Sequence, residues 1–188
     1  KILPGWAFLY RKIAFKKYNG YLKPIFDYRM NRAYLLTGSN LHHPRMQVAL
    51  AAQRIEKYCG KIIASSSLYG SSAWGITNQP DFINQALCIE TNFFAKKLLQ
   101  EILAIEKEMG RIRLYKMGPR MIDIDILLFN DDVINEPGLT VPHPLLPQRR
   151  FALEPLAEIA PAIEHPVLKK DIQTILMECV DSLNVYKI

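Results

Sequence analysis

Four short apolar runs along this chain have the composition of β-strands, and turn residues separate them from their neighbours. They cover residues 33–37, 61–68, 82–91 and 121–129. Between the first and second runs, and between the third and fourth, apolar residues instead recur every three or four positions. That spacing is typical of a helix with one buried face. The pattern therefore predicts the order strand, helix, strand, strand, helix, strand.

The helix boundaries are predicted from residues that favour helix ends. Pro44 suits the first turn of the first helix, which ends at Gly60. Asn92 is predicted to cap the second helix and Gly110 to end it. The buried stripe of that second helix is predicted to be Phe94, Leu98, Ile102, Ile105 and Met109.

This element order is that of a split βαβ unit. The strands at 61–68 and 82–91 are predicted to pair. We therefore predict an α+β fold, a ferredoxin-like split βαβ sandwich, with C-terminal loop and helix additions over residues 130–188. Short helices are predicted at 151–159 and 171–179.

The net charge of +6 is confined to the start of the chain. Residues 1–30 contain seven Lys or Arg and one Asp, which leaves 17 basic and 17 acidic residues in 31–188. Three explanations of this aromatic, basic stretch remain open: an amphipathic arm that binds a surface, a packing arm, or sequence upstream of a natural start near Met30. We treat 1–30 as an N-terminal extension and 31–188 as the functional domain.

Composition excludes several classes of protein. Hydrophobic residues make up 49% and charged residues 22%, as in ordinary globular proteins. The basic stretch has no apolar run of about 18 residues and lacks the order of a secretory signal. The three cysteines show no CxxC spacing, which argues against a disulfide scaffold or a cysteine zinc site. A reducing, cytoplasmic location fits best.

The strongest chemical signal is the pair Asp123 and Asp125 within the last strand. Side chains alternate along a strand, so both carboxylates share one face and Ile122, Ile124, Ile126 and Leu128 the other. Positions two apart are separated by about 6.6 Å, which suits two hard cations about 3.5–4 Å apart. Mg²⁺ is the natural ion. The alternative is a solvated face of an edge strand.

A cluster of cations surrounds this pair in the sequence: Arg111, Arg113, Lys116, Arg120, Arg149 and Arg150. Guanidinium groups beside metal-binding carboxylates favour a polyphosphate ligand, because they bind phosphate oxygens bidentately. A solvated basic loop is the alternative. The chain has no G-x-x-x-x-G-K-[ST] motif, so the phosphates would not bind in an ordinary P-loop.

Several motifs together resemble a known family. In chain order they are GSN, QPDFIN, GRIR, GPRMIDIDILLF, LTVPHP and RRFALEPLAEIAP. This set, over about residues 31–188, resembles the 6-hydroxymethyl-7,8-dihydropterin pyrophosphokinases of folate biosynthesis. The resemblance implies a ferredoxin-like enzyme that transfers the β,γ-diphosphate of ATP to the hydroxymethyl group of the pterin and releases AMP, with two Mg²⁺ ions.

The resemblance also implies roles for individual residues. Those expected to act in catalysis are Arg111, Arg113, Arg120, Asp123 and Asp125, the two aspartates as magnesium ligands. Those expected near ATP are Glu106, Arg113, His143 and Arg149. Those expected at the pterin are Ser71, Ser72, Trp74, Phe82, Asn84 and Phe151. The loop that carries Arg111 and Arg113 is expected to close over both substrates as a lid.

Two other classes of protein are weighed against this interpretation. A split βαβ sheet with exposed aromatics is also the scaffold of RNA-recognition domains, but residues 31–188 are neutral and lack the aromatic RNA-binding motif of those domains. A catalytically silent relative is the second alternative. We expect a monomer that binds ATP and the pterin and binds no nucleic acid.

Overall fold

A computed structural model describes residues 13–18, 21–26, 30–75, 78–111 and 118–188. The chain forms two compact units, 1–30 and 31–188. In the first unit, strands β1 (Ile13–Tyr18) and β2 (Tyr21–Phe26) form an antiparallel hairpin. No helix in the described part of the chain is long and apolar enough to cross a membrane.

The second unit is built on a six-stranded antiparallel sheet with the order β10-β5-β6-β3-β7, in which β4 also pairs with β6. These strands are β3 (Asn31–Ser39), β4 (Lys61–Ser65), β5 (Tyr69–Ser71), β6 (Phe82–Thr91), β7 (Asp123–Phe129) and β10 (Val185–Lys187). A separate hairpin follows β7 and consists of β8 (Ile134–Glu136) and β9 (Leu139–Val141).

Helices cover both faces of this sheet. Helices α1 (Pro44–Tyr58) and α2 (Ala95–Glu108) pack on one face, and α3 (Arg150–Ile159) and α4 (Ile172–Glu178) pack on the other. The central strand β3 contributes to both cores, because Leu35 faces the first pair of helices and Leu36 the second. The predicted α+β, ferredoxin-like fold with C-terminal helix additions is confirmed.

The predicted strand at 61–68 ends earlier than expected: β4 ends at Ser65, and the next strand, β5, begins only at Tyr69. Ser66 lies at the break. Its hydroxyl donates to the carbonyl of Ser67 and accepts from the backbone N–H of Ala86. Serine side chains that bond the backbone locally compete with the regular ladder, and here they interrupt it. The predicted pairing with 82–91 is confirmed for β4.

The start of α2 differs from the prediction. The helix begins at Ala95 after Phe94, so Asn92 is not its cap residue. Instead, the hydroxyl of Thr91 accepts a hydrogen bond from the N–H of Phe93. Phe94 is 55% exposed and so does not join the buried stripe. Gly110 ends the helix as predicted, with a φ of +81° that glycine adopts readily.

One prediction about β7 is wrong. Tyr34 pairs with Leu128 but Leu35 pairs with Ile126, so a bulge leaves Leu127 as an extra residue. Leu128 therefore packs on the α3 side of the sheet instead of beside Ile124 and Ile126. The bulge lies after Asp125, so the alternation around the two aspartates is preserved.

Candidate active site

Strand β7 is an edge strand, and its two carboxylates point into a cavity of about 860 Å³. Asp123 lies opposite Gly38 of β3, and Asp125 lies opposite Leu36. Ile124 between them is buried in the core. The shared face that the sequence predicted is therefore a cavity wall rather than an open, solvated face.

Three arginines surround the two carboxylates. Arg111 binds Asp123 with an Nη2–Oδ1 distance of 2.6 Å, and Arg120 binds the other oxygen of the same carboxylate. Arg149 lies 3.8 Å from Asp125, measured from Nη1 to Oδ2. All three guanidinium groups are mostly shielded from solvent. Each guanidinium group thus lies beside a carboxylate, and such a mixture of arginines and carboxylates can bind phosphate oxygens both directly and through metal ions.

Glu106 of helix α2 contacts the part of the cavity wall that carries Asp123, Asp125 and the arginines. Its carboxylate is buried, accepts a hydrogen bond of 2.8 Å from the N–H of Ile124 and pairs with Arg111. Burial raises the pKa of Glu106, and the Arg111 charge opposes that rise. The carboxylate therefore holds both the backbone of β7 between the two aspartates and one of the arginines that face them.

Burial also shifts the pKa of two other groups at this wall. It raises the pKa of Asp125, with a further rise from the Asp123 charge, while Arg149 acts in the opposite direction. Burial and the neighbouring Arg149 lower the pKa of His143 to about 4, so this imidazole is neutral at pH 7. The backbone N–H of His143 donates to the carbonyl of Leu127, which fixes the histidine beside β7.

Mg²⁺ fits the chemistry of this donor set. The two aspartates supply the oxygen ligands that Mg²⁺ prefers, and it commonly binds through one or two carboxylates together with substrate phosphates. Among the residues that the structure describes, no group of three or more His, Cys, Asp or Glu side chains is arranged to hold a metal. The remaining ligands would therefore come from phosphate and water.

Polar and aromatic side chains form the opposite part of the cavity. The buried Asn84 donates from Nδ2 to the Ser71 hydroxyl at 3.0 Å. A Cβ atom at Gly38 would lie 2.8 Å from Asn84 Oδ1, so only glycine leaves room for this amide. The amide therefore has a fixed position between β3 and β5, the two strands that flank its own strand, β6.

The aromatic rings and the arginines are interleaved. The Arg120 guanidinium lies 5.6 Å from the centre of the Phe82 ring. The Arg149 guanidinium lies 5.0 Å from the Trp74 ring and 5.6 Å from the Phe151 ring. Cation–π contacts at these distances hold the flat groups together. The phosphate-binding and aromatic parts of the cavity are thus continuous.

Residues 34–161 match the family model of 7,8-dihydro-6-hydroxymethylpterin-pyrophosphokinase. The chain belongs to this family. A relative named 2-amino-4-hydroxy-6-hydroxymethyldihydropteridine pyrophosphokinase, from Aquifex aeolicus, is 41% identical over 77% of this chain and 89% of its own. A relative with the same name from Pseudomonas aeruginosa is 40% identical over 73% of this chain and 85% of its own.

Solved structures support the fold of this pyrophosphokinase family member. The Plasmodium falciparum HPPK-DHPS triple mutant with SDX-DHP aligns with a TM-score of 0.65 and 20% identity over 81% of this chain. The wild-type protein aligns with a TM-score of 0.64 and 19% identity over 79% of this chain. In both cases this chain covers 44% of the solved chain, so it spans less than half of their length.

The cavity brings together the predicted site residues that the structure describes. These are Ser71, Ser72, Trp74, Phe82, Asn84, Glu106, Arg111, Arg120, Asp123, Asp125, His143, Arg149 and Phe151. Arg113 and most of the predicted lid fall within 112–117, outside the described residues. Their roles stay predictions.

Some polar residues and glycines of the site lie outside the predicted set. Lys107 and Gly38 line the cavity, and the sequence signal for Gly38 is the GSN motif, Gly38-Ser39-Asn40, to which no individual residue role was assigned. Asn40, the last residue of the same motif, has a structural role, because its Oδ1 accepts from the N–H of Arg120 at 2.8 Å and its Nδ2 donates to the carbonyl of Pro80. Asn40 therefore connects the end of β3 with the segments that precede β6 and β7.

Proposed function

We propose that this chain transfers the β,γ-diphosphate of ATP to the hydroxymethyl group of 6-hydroxymethyl-7,8-dihydropterin and releases AMP, a step of tetrahydrofolate biosynthesis. The observation that carries the proposal is one cavity in which a carboxylate pair and three arginines adjoin three aromatic side chains and a buried amide. Membership of the family and the names of the relatives support the same reaction.

The carboxylate wall binds the phosphate chain in this proposal. Asp123 and Asp125 would hold two Mg²⁺ ions, which supply charge neutralisation at the phosphates. Arg111, Arg120 and Arg149 contribute further positive charge around the transferred group. Phosphoryl transfer depends mainly on such positioning and charge stabilisation, so the mechanism assigns no side chain as a dedicated general base.

The aromatic part of the cavity binds the pterin. Phe82 and Phe151 would stack on the two faces of the bicycle, and stacked rings contribute about 0.5–1.5 kcal/mol beyond the buried area. Asn84 and the neighbouring Ser71 and Ser72 would bond its polar edge, and Trp74 would close the slot beside Phe151. The fixed position of the Asn84 amide supports this role, because a pre-oriented donor and acceptor pair recognises one edge of a heterocycle.

The segment that contains Arg111 and Arg113 is proposed to act as the lid. Arg111 supports this role because it already reaches both Glu106 and Asp123 at the cavity wall. Glu106 and the neutral His143 complete the ATP side of the site in the proposal.

A direct assay tests the reaction. The protein is incubated with ATP, Mg²⁺ and 6-hydroxymethyl-7,8-dihydropterin, and the nucleotide products are separated. We expect AMP in amounts equal to the pterin diphosphate formed. Formation of ADP instead would contradict the transfer of a diphosphate. No turnover from folded protein, with pterin and ATP both bound, would indicate a catalytically silent relative.

We also propose that residues 31–188 form the enzyme, that residues 1–30 are an extension outside it, and that the protein acts as a monomer in the cytoplasm. The separation of the chain into units 1–30 and 31–188 supports the first part. The three cysteines are free, buried thiols, which supports a reducing compartment. Gel filtration coupled to light scattering tests the oligomeric state.

A further inference from the structure

Strand β10 completes the sheet beside the proposed pterin-binding strand. It pairs antiparallel with β5, with Val185 opposite Ser71 and Tyr186 opposite Gly70. The N–H of Ile188 extends the pairing by donating to the carbonyl of Leu68 at 2.9 Å. Because β5 has only three residues and pairs with β6 on its other side, β10 converts a short edge strand into an internal one.

Tyr186 packs directly on the backbone of β5. A Cβ atom at Gly70 would lie 2.4 Å from Cζ of the Tyr186 ring, which is far too close for any side chain. Gly70 is not among the described glycines with a positive φ. The close approach of the ring, and not the backbone conformation, therefore favours glycine at this position, because a side chain there would displace the ring.

Glu158 of α3 forms an ion pair and hydrogen bonds with β10 and with the residues just before β5. Lys187 binds Glu158 at 2.8 Å, and Glu158 also accepts from the N–H and hydroxyl of Ser67. Partial burial opposes ionisation of Glu158, but hydrogen bonds from Lys187, Tyr69 and Ser67 outweigh it and lower its pKa to about 2. Strand β10 and the start of β5 are thus attached to one helix.

Residues that follow Gly70 at this edge of the sheet line the cavity. Ser71 follows Gly70 and accepts the hydrogen bond from Asn84. Ser72 and Trp74 continue from the same strand along the cavity wall. Any displacement of β5 would therefore move the partner that orients Asn84, together with two further wall residues.

We infer that Tyr186 is a positioning residue for pterin binding, which acts by packing on Gly70 and so fixing Ser71 and Asn84 at the pterin edge of the cavity. The inference rests on the proposed function. Tyr186 itself does not line the cavity and lies outside residues 34–161, which match the family model.

Steady-state kinetics of Tyr186→Ala in the full chain test the inference. Loss of the ring removes its packing on Gly70, and small misplacements of binding groups have large effects, so we expect the KM for the pterin to rise about tenfold. The KM for ATP should stay within about twofold, because that substrate contacts other walls. Tyr186→Phe should restore the wild-type pterin KM, because it keeps the ring.

Tyr58→Ala is the matched control. Tyr58 lies at the end of α1, has a similar exposure (43% against 46% for Tyr186) and does not line the cavity. We expect wild-type KM values for it. An unchanged pterin KM in Tyr186→Ala, or an equal rise in both KM values, would overturn the inference and leave Tyr186 a structural role only.

Hydrogen exchange separates this inference from the proposed reaction. In Tyr186→Ala the amides of 69–71 should exchange at least about tenfold faster than in the wild type, while those of α1 are unchanged. Fluorescence titration with the pterin should show the same weakening of binding as the kinetics. If the wild type binds the pterin without forming AMP, the proposed function fails and these two measurements still decide the role of Tyr186. Unchanged exchange at 69–71 would refute it.

Discussion

Replacement of Glu106 would remove the single carboxylate that joins α2, β7 and Arg111. In Glu106→Ala the N–H of Ile124 loses its acceptor inside the core, and an unpaired buried donor costs about 1–3 kcal/mol. Arg111 loses one of its two carboxylates but keeps Asp123 at 2.6 Å, so only part of the 3–5 kcal/mol typical of a broken buried pair applies. We expect the free energy of unfolding to fall by about 3–5 kcal/mol in total.

Glu106→Gln separates the two contributions. The amide oxygen can still accept from Ile124, so the remaining loss is the charge opposite Arg111. Burial raises the pKa of Glu106 despite the neighbouring Arg111 charge, so desolvation outweighs the gain from ionisation. We therefore expect a smaller loss, about 1–2 kcal/mol.

Urea unfolding, followed by circular dichroism, measures these differences. Glu101→Ala is the control on the same helix: it breaks the i,i+4 pair with the half-buried Lys97 and should change the unfolding free energy by less than about 0.5 kcal/mol. If Glu106→Ala unfolds within about 1 kcal/mol of the wild type, the carboxylate does not hold β7 and Arg111 as the geometry indicates.

Three further predictions concern the metal site, the extension and the pH dependence. Asp125→Asn should lower kcat at least about a hundredfold with an unchanged circular dichroism spectrum; near-normal turnover would remove the metal assignment. Deletion of 1–29 should leave kcat and both KM values unchanged, and an unfolded or inactive product would show that the extension belongs to the domain. The pKa of Glu158 is lowered from 4.5 to about 2, so its ion pair stabilises the fold above pH 4.5 and less as the pH falls towards 2. Glu158→Gln should therefore have a lower Tm than the wild type at pH 7, and this difference in Tm should disappear by pH 2. A difference in Tm that stays constant with pH would contradict the assigned role of the Glu158 ion pair.

The sequence by itself determined the elements with strong local periodicity. The predicted strand at 82–91 has the same bounds as β6, and the alternation in MIDIDILLF placed both aspartates on one face. These features depend on near neighbours in the chain, whose side-chain directions follow from backbone geometry. Family motifs supplied the residue roles, which local patterns alone could not provide.

Tertiary structure decided the features that depend on distant segments. The bulge at Leu127 reflects the register with Tyr34 and Leu35 of β3, and the break at Ser66 depends on hydrogen bonds with Ala86 of β6. The contact between Gly70 and Tyr186 has no local signal, because 116 positions separate the two residues. Hydrogen bonds and packing depend on distances in space, and only the folded chain brings such groups together.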